Sequence, residues 1–87
     1  MTEIVMYTKT VCSYCDRAKS LLTDKGVTWQ EINLDHHPEE RERMIRMADG
    51  RRTVPQIFVN GEHVGGYGEL AHFAAYFLSG HLQLIAV

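Results

Sequence analysis

Cys12 and Cys15 are the chain's two cysteines, set three residues apart in Cys12-Ser13-Tyr14-Cys15. A pair at this spacing at the start of a helix suits thiol–disulfide exchange. The thiolate is the nucleophile, and the unpaired backbone N–H groups of a helix N-terminus stabilise an anion. Cys12 is therefore expected to titrate below the ordinary thiol value of about 8.5, in the range of about 3.5–7.5 found at such positions, with Lys9 near enough in sequence to help. Cys15, one helical turn further in, is expected to be more buried, yet within disulfide reach of Cys12, which makes it the natural resolving thiol.

The competing chemistry for Cys-x-x-Cys is half of a tetrahedral zinc site. No second such pair and no spaced histidine pair completes it. His36 and His37 are adjacent and point apart, and His63, His72 and His81 are scattered, so only tertiary proximity would assemble a metal cluster. No metal site is expected from this pattern.

The elements that must position the cysteines follow from the pattern of apolar residues. Glu3–Thr8, with Ile4, Val5 and Tyr7, reads as a buried first strand. From Ser13 to Lys25 the positions Cys15, Ala18, Leu21 and Leu22 fall at helical spacing, with Gly26 where a C-terminal cap belongs. The β-branched and aromatic content of Val27–Asn33 favours a second strand. Pro38 suits a first helical turn, Glu39 and Glu40 suit its dipole, and Glu39/Arg43 and Glu42/Arg46 are spaced as i,i+4 pairs. A second helix is expected up to about Ala48, stopped by Asp49-Gly50. Gln56–Val59 and Glu62–Val64 flank Asn60-Gly61, a strong hairpin signal. Beyond Gly65-Gly66, Leu70, Phe73, Ala74 and Phe77 mark the apolar stripe of a third helix ended by Gly80, and the tail from His81 to Val87 is apolar without declaring its structure. The order β-α-β-α-β-β-α requires a crossover and then a hairpin, giving an α/β fold with a four-stranded mixed sheet flanked by three helices, in one domain spanning residues 1–87.

Composition narrows the function. The 87 residues carry nine Lys and Arg against eleven Asp and Glu, interspersed, with a formal charge of −2; this offers no broad basic face for nucleic acid. The longest uncharged apolar stretch, Phe73–Leu78, is far short of the roughly 20 residues a membrane span needs. Met1-Thr2-Glu3 leads straight into Ile4 without a basic or long apolar leader, and two close cysteines are unlike a secreted disulfide scaffold, so a cytoplasmic location is expected.

Three separated motifs then carry a resemblance. Tyr7-Thr8-Lys9 ahead of Cys-Ser-Tyr-Cys, followed by Thr53-Val54-Pro55-Gln56-Ile57-Phe58 and by Gly65-Gly66, resembles glutaredoxins of the thioredoxin superfamily, over about residues 3–70. Thioredoxin itself fits less well, since no Trp precedes Cys12 and no Gly-Pro lies between the cysteines. The resemblance implies a thioredoxin-like fold and a monomer that reduces protein disulfides and glutathione mixed disulfides, ribonucleotide reductase among the candidate substrates, with glutathione as co-substrate. It implies a cis Pro55 that holds the Thr53-Val54 backbone beside Cys12. It also implies a glutathione groove lined by Lys9, Tyr14, Thr53, Val54 and Pro55, with Gly66, Tyr67 and Gly68 receiving the γ-glutamyl end.

The chain departs from that pattern in two places. The family usually carries Asp one residue after Gly-Gly, and here that residue is Gly68, in Tyr67-Gly68-Glu69. A partner for the glutathione ammonium is thereby lost, although the N–H groups of Tyr67 and Gly68 remain for its carboxylate. Glu69 is a candidate substitute, and Arg51 and Arg52 are candidate partners for a glutathione carboxylate or else solvated loop charges. Tyr67 reads either as a lid over the groove or as cover for the last helix, whereas Trp29, Leu70, Phe73 and Phe77 read as core. Ser13 stands where many dithiol relatives have proline, which frees a backbone N–H. Relatives with serine there include some that hold a [2Fe–2S] cluster between two protomers through the first cysteine, here Cys12, and bound glutathione. Two rival readings follow: a glutathione-linked cluster carrier, and a glutaredoxin-shaped donor served by thioredoxin reductase.

Overall fold

The computed structural model describes residues 2–75. Its strands are β1 (Ile4–Thr8), β2 (Gln30–Asn33), β3 (Gln56–Val59) and β4 (Glu62–Gly65), and its helices are α1 (Ser13–Asp24), α2 (Arg41–Met47) and α3 (Tyr67–Phe73). The sheet runs β2-β1-β3-β4, with β1 and β2 parallel and the other neighbours antiparallel. This is the mixed four-stranded, three-helix thioredoxin-like architecture that the sequence predicts.

Period-two alternation along the central strands divides the core. Ile4 and Met6 on β1 and Ile57 on β3 face Ala18 and Leu22 of α1 and Leu70 of α3, with Trp29 and Tyr67 packed at the margin. Tyr7 and Phe58 face the other way, against Met44, Ile45 and Ala48 at α2. Their rings meet edge to face at 5.7 Å. Both layers bear on β1, so the loop that leaves its C-terminal end, Lys9–Val11, starts from a rigid base and delivers Cys12 to α1.

Helix α1 ends as expected, and the way it ends shortens the following strand. Gly26 is left-handed at φ +72°, its N–H donates to Thr23 O at 3.0 Å, and the Val27 N–H donates to Leu22 O at 3.2 Å. Both bonds belong to a Schellman cap. With Val27 tied back to the helix, pairing with β1 begins at Gln30, so Val27, Thr28 and Trp29 lie outside the strand predicted for them.

The second helix also differs at its start. Pro38–Glu40 forms a 3₁₀ turn before α2. Neither i,i+4 ion pair forms: Arg43 reaches Glu40 instead, at 3.9 Å, and Glu39 faces His37 at 3.4 Å. For Glu39 the tighter turn, with three residues per turn, brings i,i+3 neighbours into line and rotates the i,i+4 position apart, whereas Glu42 and Arg46, both inside α2, stay unpaired for no reason the structure shows. The predicted stop holds. Asp49 (φ +57°) and Gly50 (φ +87°) are both left-handed, and the Gly50 N–H closes on Ile45 O at 2.8 Å.

The hairpin turns through Asn60 (φ +52°) and Gly61 (φ +84°), the two positive angles of a type I′ turn. Phe58 opposes His63, but Ile57 opposes Gly65, so β4 carries one extra residue at a bulge. Gly65 there has φ +130°, and a Cβ would fall 2.7–2.9 Å from the Glu69 side chain. Gly65→Ala is expected to cost about 1–3 kcal/mol, the range for a forced backbone, read as a lower urea midpoint with an unchanged slope.

A polar bridge joins α1 to the sheet below the active-site loop. The buried Thr8 hydroxyl donates to Glu31 Oε2 at 2.7 Å, and Lys19 Nζ meets the same oxygen at 2.8 Å. Burial pushes the Glu31 carboxyl up, but the bonds from Lys19 and Thr8 outweigh it and hold the group below its ordinary value. A depressed folded value stabilises above the unfolded pKa of about 4.3 and is lost as pH falls through the folded one. Glu31→Gln is therefore expected to lower the urea midpoint at pH 7 by the equivalent of about 0.5 kcal/mol, a figure already reduced for solvent screening, with the difference vanishing by about pH 3.

Candidate active site

Cys12 is the N-cap of α1, extended at φ −156° and ψ 101°. Its Sγ accepts the Cys15 N–H at 3.1 Å, the place a capping oxygen would take. Cys12 and Cys15 are joined as a disulfide, with Cα atoms 5.2 Å apart. Cys15 is 1% exposed, whereas Cys12 is half-buried and faces the Val54 carbonyl oxygen at 3.8 Å. One sulfur is therefore accessible and the other is reached through it.

The loop carrying Cys12 is held from below. The Thr10 N–H donates to Asp35 Oδ2 at 2.8 Å, Asn33 Nδ2 donates to Thr10 Oγ1 at 3.4 Å, and the Leu34 N–H donates to Thr8 O at 2.8 Å. The Thr10 backbone bond leads the causes that hold the Asp35 carboxyl below its ordinary value. Sequence reasoning passed over Asp35, and its signal was the Asn33-x-Asp35 turn directly after β2, closed by an Asp35 N–H to Asn33 Oδ1 bond of 2.9 Å.

Beside Cys12 the Val54–Pro55 peptide bond is cis. Tyr14, Thr53, Val54, Pro55, Gly66, Tyr67 and Gly68 line one groove of about 490 Å³, joined there by Arg51 and Glu69. Tyr14 is 54% exposed, its ring 6.0 Å from that of Tyr67 and 5.3 Å from the Arg17 guanidinium. Tyr67 satisfies both readings made of it, since its ring borders the groove and also packs on the α1/α3 core. A larger cavity of about 770 Å³ lies between β4 and α3, lined by His63, His72 and Phe73 among others. The smaller groove is the better candidate because Val54, which touches Cys12, forms part of its wall.

The geometry also places the charged candidates near the groove. Lys9 is exposed on the loop ahead of Cys12, and its charge is among the lesser influences that lower the Asp35 carboxyl. Glu69 does not turn into the groove as a free carboxylate, because its Oε1 accepts the Gly66 N–H at 2.8 Å and Arg51 Nη1 at 3.3 Å. The Gly66 bond is the leading cause that keeps the Glu69 carboxyl below its ordinary value. Of the two arginines, Arg51 borders the groove and Arg52 is exposed outside its lining.

On the reading of a cluster shared between two protomers, Cys12, the accessible cysteine, would supply one thiolate from each and bound glutathione the others, and the buried Cys15 would not be needed. Among the described residues no group of three His, Cys, Asp or Glu is arranged to hold a metal ion. Phe77, Gly80 and the 81–87 tail lie outside the described residues.

Residues 4–64 match the family model described as Glutaredoxin. Glutaredoxin 3 of Escherichia coli strain K12 is 49% identical over 70 residues, covering 80% of this chain and 83% of that protein. The solution structure of glutaredoxin from Brucella melitensis superposes with a TM-score of 0.75 at 39% identity, covering 94% of this chain and 88% of the other. The crystal structure of a buckwheat glutaredoxin–glutathione complex superposes at 0.76 with 31% identity, covering 85% and 69% respectively.

Proposed function

Because the chain belongs to the glutaredoxin family and is a thiol–disulfide oxidoreductase, we propose that it draws its electrons from glutathione, bound in the groove beside Cys12. The observation that carries this reading is that groove, whose Val54 wall lies 3.8 Å from the accessible sulfur. The similarity to a glutaredoxin solved with glutathione supports it.

In the proposed cycle the Cys12 thiolate, favoured by the Cys15 N–H and the start of α1, attacks a disulfide sulfur. On a glutathionylated protein it takes the glutathionyl group and releases the protein thiolate. A glutathione thiolate then attacks the Cys12 mixed disulfide, leaving oxidised glutathione and the Cys12 thiolate. On a protein disulfide Cys12 forms a mixed disulfide with one protein sulfur, and Cys15, deprotonated, displaces the reduced protein. The Cys12–Cys15 disulfide results, and two glutathione molecules reduce it. In the groove, Thr53, Val54 and Pro55 supply a backbone edge for the glutathione peptide, Tyr14 and Tyr67 its apolar walls, and Arg51 a cation for a carboxylate. Gly66, Tyr67 and Gly68 receive the γ-glutamyl end. Lys9, exposed on the loop ahead of Cys12, supplies a positive charge beside the site. The protein substrates are disulfide-bearing or glutathionylated proteins, and the working compartment is a reducing one, the cytoplasm.

The test is reduction of a small glutathione mixed disulfide coupled to glutathione reductase and NADPH, with thioredoxin reductase replacing the glutathione system in parallel. Turnover with glutathione alone is expected. Turnover only with thioredoxin reductase overturns the glutathione assignment while leaving thiol–disulfide exchange in place.

A further inference from the structure

Gln56 is fully buried at the start of β3, next to Pro55, and a buried amide must have both ends bonded. Its Nε2 donates to Thr53 Oγ1 at 3.2 Å, and its Oε1 faces His63 Nε2 at 2.7 Å. With the amide in this orientation, the polarity of the hydrogen-bond chain from His63 to Thr53 follows. An amide oxygen only accepts, so His63 carries its proton on Nε2. Thr53 Oγ1 accepts from Gln56, so its own proton remains available on an exposed residue that lines the groove. His63 sits opposite Phe58 in the hairpin register, its ring 5.1 Å from the Phe58 ring, and burial is the leading cause that holds its imidazole below its ordinary value.

We propose that Gln56 and His63 are positioning residues: His63 Nε2–H locks the Gln56 amide, and the amide leaves the Thr53 hydroxyl as a donor to a peptide carbonyl of the glutathionyl group held beside Cys12. The inference rests on the reading of that groove as the glutathione site. Neither residue touches the ligand. If Gln56 turned its amide over, Thr53 would have to donate to Gln56 and would meet the ligand carbonyl with lone pairs alone.

The test is a cycle of Thr53→Val, His63→Phe and the double variant, with His63→Gln as the substitution that restores an N–H to Gln56. The substrate is a small glutathione mixed disulfide. Each single variant is expected to raise KM about two- to tenfold, the range for one neutral hydrogen bond, with kcat unchanged. The double variant is expected to be no worse than the poorer single one, because both remove the same bond, and His63→Gln is expected to return KM toward the original. If the two effects multiply while Thr53→Val alone raises KM, the groove stands and the positioning chain falls. If Thr53→Val leaves KM unchanged, the hydroxyl meets no ligand and the positioning chain falls, while the groove, which holds the peptide through the Thr53-Val54 backbone, is judged by the glutathione-coupled assay. Nitrogen-15 NMR of the unsubstituted protein at pH 7.5 decides the polarity separately: a protonated Nε2 on His63 is required, and a bare Nε2 overturns the proposal.

Discussion

Replacing Cys12 with serine is expected to lower both glutathione-mixed-disulfide and protein-disulfide reduction by at least about a thousandfold, whereas Cys15→Ser is expected to retain the first and lose the second. The asymmetry follows from burial. Cys15, 1% exposed, cannot meet an external disulfide, while Cys12 is half-buried and borders the groove through Val54. A serine hydroxyl is too weakly acidic to supply a comparable nucleophile, and neither the Cys15 N–H nor the start of α1 can compensate. With Cys15 replaced, the mixed disulfide on Cys12 still meets incoming glutathione, so deglutathionylation continues. A protein mixed disulfide, however, loses the internal thiol that would resolve it. Mass spectrometry of Cys15→Ser after exposure to oxidised glutathione is expected to find a single glutathionyl adduct, on Cys12. Retained turnover in Cys12→Ser would remove Cys12 from the chemistry altogether.

The pairing of the two cysteines and their unequal burial were readable from their spacing and a helix start, because both are set locally. The same holds for the hairpin, where Asn60-Gly61 alone selects the two positive φ angles, and for the end of α1, where Gly26 announces its cap. The misread positions depend on where a hydrogen bond goes. Val27 has strand propensity, yet its N–H closes the α1 cap, so β2 starts later. Glu69 is adjacent to Gly68, yet its carboxylate is already held by Gly66 and Arg51. Gln56 and His63 are seven residues apart with no motif to join them; the hairpin register, which sets His63 opposite Phe58, makes it the diagonal neighbour of Gln56 on the same face.

The engagement of Glu69 leads to the second large effect: Gly68→Asp is expected to lower KM for glutathione by about five- to a hundredfold with little change in kcat. The resemblance places a carboxylate at this position as partner of the glutathione ammonium, and here Gly68 carries no side chain. Glu69 does not fill the gap, since moving it would strip the Gly66 N–H and the Arg51 guanidinium of their acceptor. Position 68 has room for the substitution, because a Cβ there meets nothing within 4 Å and the backbone is not left-handed. The residue lies in the first turn of α3, where an acid is favoured by the peptide dipoles. A charged hydrogen bond gained at this end is worth about 1–3 kcal/mol, which sets the predicted range. Gly68→Asn is the control that separates charge from bulk: it offers a similar side chain without the charge and should recover only a small part of the gain. The advantage of aspartate should also shrink as salt rises, as an exposed ionic contact requires. An unchanged KM in Gly68→Asp would mean that the ammonium does not reach this end of the groove, and glutathione would then have to be held by Arg51 and the Thr53-Val54 backbone alone.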